Sequence, residues 1–148
     1  MTHRISAALF DMDGVIFDTE PQYTYFWDKI GIEYLGIEDF ASHWKGVPVK
    51  IMLDKAFGHI RDKHTEILDK CVAFERDMVF EYIPGAKEFV LNLKKRGIAV
   101  AIVTSSTERK MSNVYRNHPD FKGMFDYIVT SDNFTKGKPD PECFESGM

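Results

Sequence analysis

The sequence predicts an α/β fold in which a parallel sheet is interrupted by an all-helical insertion, and three observations predict it. Short apolar runs of strand length occur at residues 5–11, 98–104 and 127–131. The last two are separated by a helical pattern, and residues 20–83 carry helical stripes but no convincing strand.

In chain order, "ISAALFD" is too uniformly apolar for a half-exposed strand and reads as one buried on both faces of a parallel sheet. The insertion has one stripe at Tyr23, Phe26, Trp27 and Ile30. A longer one runs through Ile60, His64, Ile67, Leu68, Cys71, Phe74 and Met78. Pro84 and Gly85 mark the start of the next helix, whose stripe is Ala86, Phe89, Val90 and Leu93; "KKR" fills its last turn and Gly97 supplies a left-handed cap. After the strand "IAVAIVT", Ser106 or Thr107 caps a helix with Glu108 in its first turn and Met111, Val114 and Tyr115 at helical spacing. With "YIVTS" following, strand, helix and strand make a parallel crossover.

At 148 residues and 44% hydrophobic content the chain can bury one medium domain, or a modest core with a small insertion. A net charge of −4 provides no broad positive field, which argues against nucleic acid and anionic membranes as partners. No apolar run approaches the ~20 residues that span a bilayer, and "MTHRISAALF" has too short an apolar segment for a signal peptide, so a cytoplasmic location is expected. Cys71 and Cys143 lie in helical patterns and read as buried small hydrophobes, not as a disulfide or metal pair. No chemistry is assigned to His3, His43, His59, His64 or His118, and the sequence does not set the oligomeric state.

The chemistry is concentrated in "ALFDMDGVIFDTE". Asp11 and Asp13 fall at the carboxyl end of the first strand, where an open parallel sheet binds its ligands. Two carboxylates held together repel at neutral pH, so they share either a proton or a hard cation such as Mg²⁺. A metal-neutralised carboxylate can attack phosphorus to give an acyl phosphate, while a protonated neighbour donates to the leaving oxygen. Gly14 permits the sharp turn that this crowding needs.

A bare D-x-D would be better read as a polar turn, but "FDMDGVIFDT" closely resembles the first motif of the haloacid dehalogenase (HAD) superfamily. Two further stretches resemble the family's next motifs in the right order. "TSS" is similar to the second, in which a hydroxyl at a strand end bonds the transferring phosphoryl group: Ser105 takes that place, Thr104 is the register alternative, and Ser106 is a further substrate contact. "KGKPDPECF" is similar to the third, whose lysine balances charge on nucleophile and phosphate and maps to Lys138, with Lys136 as alternative. Asp140 with Pro141 also reads as an ordinary helix start.

The resemblance spans the whole chain. It implies a Rossmann-like core from residues 1–18 and 84–148, incomplete as given, and a helical cap over residues 19–83 that closes over the site and sets specificity. It also implies that Asp11 is nucleophile and metal ligand, and that Asp13 is general acid/base and lends a backbone carbonyl to Mg²⁺. Lys138 and the amides around Gly14 would stabilise the phosphoryl charge.

The chain also departs from the family pattern. The fourth motif, with the acidic residues that complete the Mg²⁺ site, is missing because the sequence stops at "ECFESGM". The expectation is therefore a fragment of a longer protein or a truncated gene product, with completion of the sheet by a partner as the lesser alternative. Asp132 in "TSDNF" reads as a polar loop residue in preference to a substitute ligand. "WKGVPVKIML" resembles the β-phosphoglucomutase subgroup and makes Lys45 and Gly46 candidate substrate contacts, yet Tyr23 replaces that subgroup's histidine and Val49 its arginine. Haloacid dehalogenation fits poorly, since Asp13 would have no leaving alkoxide to protonate. The prediction is a Mg²⁺-dependent phosphatase of a small phosphorylated metabolite, with sugar phosphates as the fitting class. Its alternatives are β-phosphoglucomutase-type phosphoryl transfer and a catalytically silent fragment that acts by binding.

Overall fold

The computed structural model describes residues 4–133, so Lys136, Lys138, Asp140, Pro141 and Cys143 lie outside the described residues. The described residues divide into two compact units: those through Asp18 together with those from Phe80 onward, and Thr19–Val79.

The first unit is built on a parallel three-stranded sheet in the order β1 (Ala7–Phe10), β2 (Ala99–Val103), β3 (Tyr127–Val129). Helix α5 (Ala86–Lys95) leads into β2, and α6 (Glu108–Asn117) with the short α7 (Phe121–Met124) crosses to β3. This is the crossover that the apolar runs predict. Val100 to Val103 on β2 are buried, as a strand flanked by two others requires. The expectation that the first strand is buried on both faces is corrected: Ala7 is exposed and Ala8–Phe10 are only half-buried, because among the described residues β1 pairs with β2 alone. Of the expected stripe on α5 only Val90 is fully buried; Phe89 keeps 55% of its surface and meets the Phe10 ring edge-on at 6.1 Å. Gly97 takes φ 77°, as expected of its left-handed position.

Residues 80–83, which the sequence reading gave to the insertion, group with the sheet unit for a visible reason. The Asp18 amide donates to Glu81 O (2.8 Å) and the Ile83 amide to Ile16 O (2.9 Å), so the outgoing and returning segments pair. Phe17, fully buried, locks them together through ring contacts of 4.9–5.6 Å with Phe80, Tyr82, His118 and Phe121.

The second unit is all helical: α1 (Glu20–Leu35), α2 (Phe40–Trp44), α3 (Val49–Ala56), a 3₁₀ segment (Gly58–Lys63) and α4 (His64–Asp77). Trp27, Ile30, Phe40, Leu53, Phe57 and Ile67 lie in its buried core. Gly31 lets α1 approach α2, since a β-carbon there would stand 2.3 Å from Phe40 Cβ. The long stripe predicted from Ile60 is interrupted: Ile60 adopts φ −128°, ψ 50°, and the α-helix starts only at His64. Among the described residues no helix is long and apolar enough to cross a membrane.

Candidate active site

Parallel pairing of β1 with β2, with Phe10 opposite Ile102, delivers Asp11–Asp13 and Thr104–Ser106 from the same end of neighbouring strands. Past β1 the chain makes a closed turn in which Met12 is buried, its carbonyl accepting from the amides of Val15 (3.3 Å), Ile16 (2.9 Å) and Phe17 (3.1 Å). Gly14, at φ 76°, donates its own amide to Phe17 O (2.9 Å). A side chain at that φ would be strained, so the turn depends on glycine. In this conformation the amides of residues 14–17 close the turn.

With Met12 anchored inward, the aspartates on either side of it differ. Asp11 is exposed, and one of its carboxylate oxygens accepts from the Met12 amide at 2.7 Å, which fixes the orientation of the group. The Asp13 side chain retains only 26% of its surface, and its Oδ2 accepts from the Lys110 ammonium (2.7 Å) and from the Ser106 hydroxyl (3.2 Å).

The Ser106 hydroxyl is itself held. It accepts from Thr104 Oγ1 at 3.0 Å, its amide donates to Thr104 Oγ1 at 3.1 Å, and its carbonyl accepts from the Ser131 amide at 3.0 Å. Thr104 is completely buried and its amide donates to Val129 O. The "TSS" stretch therefore separates into roles: Thr104 is an internal brace, Ser106 reaches Asp13, and Ser105 is exposed at the strand end. The sequence reading assigns the phosphoryl contact to Ser105; the Ser106–Asp13 contact is a finding of the structure.

Lys110 is the residue that sequence reasoning missed. Its side chain is only 3% exposed, although it belongs to the first turn of the helix and not to the apolar stripe of Met111, Val114 and Tyr115. Thr107 is the N-cap of α6 and its hydroxyl accepts from the Lys110 amide (3.2 Å), which places Lys110 in the first turn. A cation there opposes the positive end of the helix dipole. That mismatch, worth about 0.3–1 kcal/mol at an exposed helix end, is only a weak signal in the sequence.

Asp132 accepts from the Glu108 amide at 2.9 Å and so closes the N-terminus of α6, in keeping with its reading as a loop residue. In the helical unit Lys45 is exposed and paired with Glu20 at 2.9 Å, and Gly46 is exposed with φ 80°. Among the described residues no group of three or more His, Cys, Asp or Glu side chains could by itself hold a metal ion. The donor set nevertheless suits Mg²⁺, which commonly takes one or two carboxylates and completes its shell with water and substrate phosphate. Asp11 offers an exposed carboxylate, whereas Asp13 Oδ2 is already committed to an ammonium and a hydroxyl.

Residues 5–148 match the family described as haloacid dehalogenase-like hydrolase. A phosphorylated carbohydrates phosphatase of Thermotoga maritima is 32% identical over 147 residues, covering 95% of this chain and 68% of the relative. Hexitol phosphatase B of Escherichia coli is 23% identical over 154 residues, covering 95% and 67%. Among solved structures, a β-phosphoglucomutase from Clostridium difficile superposes with a TM-score of 0.72 at 24% identity, covering 97% of this chain and 70% of that one, a likeness of fold.

Proposed function

The chain belongs to the haloacid dehalogenase-like hydrolases, and on that premise we propose that it is a Mg²⁺-dependent phosphatase of small phosphorylated metabolites, sugar phosphates foremost, working through an aspartyl phosphate on Asp11. The observation that carries the reading is the contrast between two aspartates two residues apart: Asp11 exposed and oriented by a backbone amide, Asp13 recessed and clamped by two donors. The relatives named as phosphatases of phosphorylated carbohydrates and hexitols support the substrate class.

In this mechanism an Asp11 oxygen attacks phosphorus, and the bond from phosphorus to the leaving oxygen breaks with its electron pair passing to that oxygen. A proton from Asp13 makes the leaving group an alcohol. Water then attacks the acyl phosphate, Asp13 takes a proton from it, and inorganic phosphate departs with Asp11 restored. Mg²⁺, when bound, neutralises charge on the phosphoryl oxygens and the nucleophile; the Asp11 carboxylate and the Asp13 backbone carbonyl are the groups that would hold it. Lys138, outside the described residues, keeps its proposed charge-balancing role. Lys45 and Gly46 remain proposed substrate contacts, as do Gly14 and Ser106, with Ser105 proposed to bond the phosphoryl group; Thr104, completely buried, is proposed to act only through its hold on Ser106.

Hydrolysis of p-nitrophenyl phosphate and of a hexitol phosphate by this chain, with and without Mg²⁺, tests the proposal. Dependence on Mg²⁺ and loss to background in Asp11→Asn is the expected result. Hydrolysis that survives Asp11→Asn, or no hydrolysis of any phosphomonoester, overturns it.

A further inference from the structure

We propose that Lys110 is a positioning residue for Asp13, its ammonium fixing through Oδ2 the orientation of the carboxyl group that exchanges a proton with the leaving oxygen. The inference rests on the phosphatase reading above and adds to it a residue that none of the three sequence motifs contains.

The geometry carries it. Lys110 lies on the first turn of α6 and Asp13 on the turn after β1, yet the ammonium reaches Oδ2 at 2.7 Å with only 3% of the lysine side chain exposed. Burying an ammonium costs several kcal/mol unless it is well paired, and its placement in a helical first turn adds an unfavourable dipole term. A chain that needed only stability would do as well with an apolar side chain at this position. The Ser106 hydroxyl donates to the same oxygen, so two donors from different segments hold one oxygen of one carboxylate.

Two donors on Oδ2 fix the plane in which the Asp13 carboxyl meets the leaving oxygen. As phosphorus–oxygen cleavage sends its electron pair to the leaving oxygen, the O–H bond of the Asp13 carboxyl breaks and the alcohol forms. The resulting carboxylate, held in the same orientation, takes a proton from the attacking water. Lys110 touches neither the substrate nor the phosphoryl group in this scheme. Its effect is angular, and misplacement of a reacting group by about 1 Å can cost about 10²-fold in rate.

The leaving group provides the discriminating readout. An alkoxide needs a proton as it departs, whereas p-nitrophenolate leaves without one. In Lys110→Met, kcat for a hexitol phosphate should fall by about 10²-fold, kcat for p-nitrophenyl phosphate by much less, and KM for both should stay near the wild-type value. Ser106→Ala should shift the alkyl-to-aryl ratio in the same direction but by less. The ratio is taken within one preparation, so it does not depend on what fraction of the variant is folded. An unchanged ratio in Lys110→Met overturns the proposal even if both rates fall together, and so does an effect confined to KM. A crystal structure of Lys110→Met gives a readout independent of turnover: a rotated Asp13 carboxylate supports the assignment, and an unmoved one overturns it. Asp11→Asn, assayed alongside, separates the two readings: hydrolysis that survives it overturns the phosphatase reading and the Lys110 assignment with it, whereas hydrolysis lost in Asp11→Asn together with an unchanged ratio in Lys110→Met overturns the Lys110 assignment alone.

Discussion

Two lysine–aspartate pairs in the sheet unit have the same nitrogen–oxygen distance, 2.7 Å, and differ in nearly everything else. Lys110–Asp13 joins the first turn of α6 to the motif turn, with side chains 3% and 26% exposed. Lys87–Asp120 joins α5 to the residue before α7, with side chains 36% and 56% exposed. Water solvates the outer pair whether or not it forms, so its attraction is nearly cancelled by what the charges give up. The inner pair has less water to fall back on, above all its lysine, 3% exposed against 26% for the aspartate. The comparison teaches that separation alone says little about an ion pair; the solvent that either charge would regain on parting decides its worth.

The strongest way to break the inner pair is to remove the aspartate. Asp13→Ala removes the carboxylate from an ammonium whose side chain is only 3% exposed, and we expect a loss of about 3 kcal/mol in folding stability, the lower end of what breaking a buried pair costs. Lys110→Met leaves behind a carboxylate that is 26% exposed and can hydrate, so it should cost distinctly less. Urea unfolding of the two variants side by side checks the asymmetry. Equal losses would mean that Lys110 finds water or another acceptor when Asp13 is gone.

A smaller effect comes from the brace behind the pair. Thr104→Val preserves the shape of a completely buried side chain but removes a donor to the Ser106 hydroxyl and the acceptor for the Ser106 amide. Leaving that buried amide unsatisfied should cost about 1–3 kcal/mol. Because Ser106 is one of the two donors on Asp13, the variant should also lower the alkyl-to-aryl kcat ratio. A loss of stability with an unmoved ratio would confine Thr104 to a packing role.

The contrast between the pairs also marks where the sequence could and could not be read. Strands and the crossover were legible because "IAVAIVT" and "YIVTS" are apolar runs whose burial follows from sheet geometry. Asp11 and Asp13 were legible because their spacing at a strand end is a local pattern. Helices α2 and α3 were not singled out, since five and eight residues hold too few turns for a stripe to emerge. Lys110 was missed because its partner is 97 residues away, and no window along the chain relates the two. The contact of Ser106 with Asp13 was hidden for a similar reason: which hydroxyl turns inward depends on the bond between Ser106 and Thr104 and on the grip of Ser131 on the Ser106 carbonyl.

The outer pair supplies the smallest and most exacting test. The hydrogen bond from Lys87 holds the Asp120 carboxyl below its ordinary value of 3.8, and the same bond raises the Lys87 ammonium. A carboxyl whose folded value is depressed adds stability above its unfolded value and loses it as pH falls through the folded one. Asp120→Asn is the appropriate variant, because it leaves in place the contact of Lys87 with the Tyr82 ring at 5.5 Å. Whatever deficit it shows should therefore be present at pH 7, shrink as pH drops below about 3.8, and fade with added salt. At pH 7 the shift in urea midpoint should be close to the error of the measurement. A deficit rivalling that of Asp13→Ala would refute the solvent argument at its root, since it would mean that an exposed 2.7 Å contact binds as strongly as a buried one.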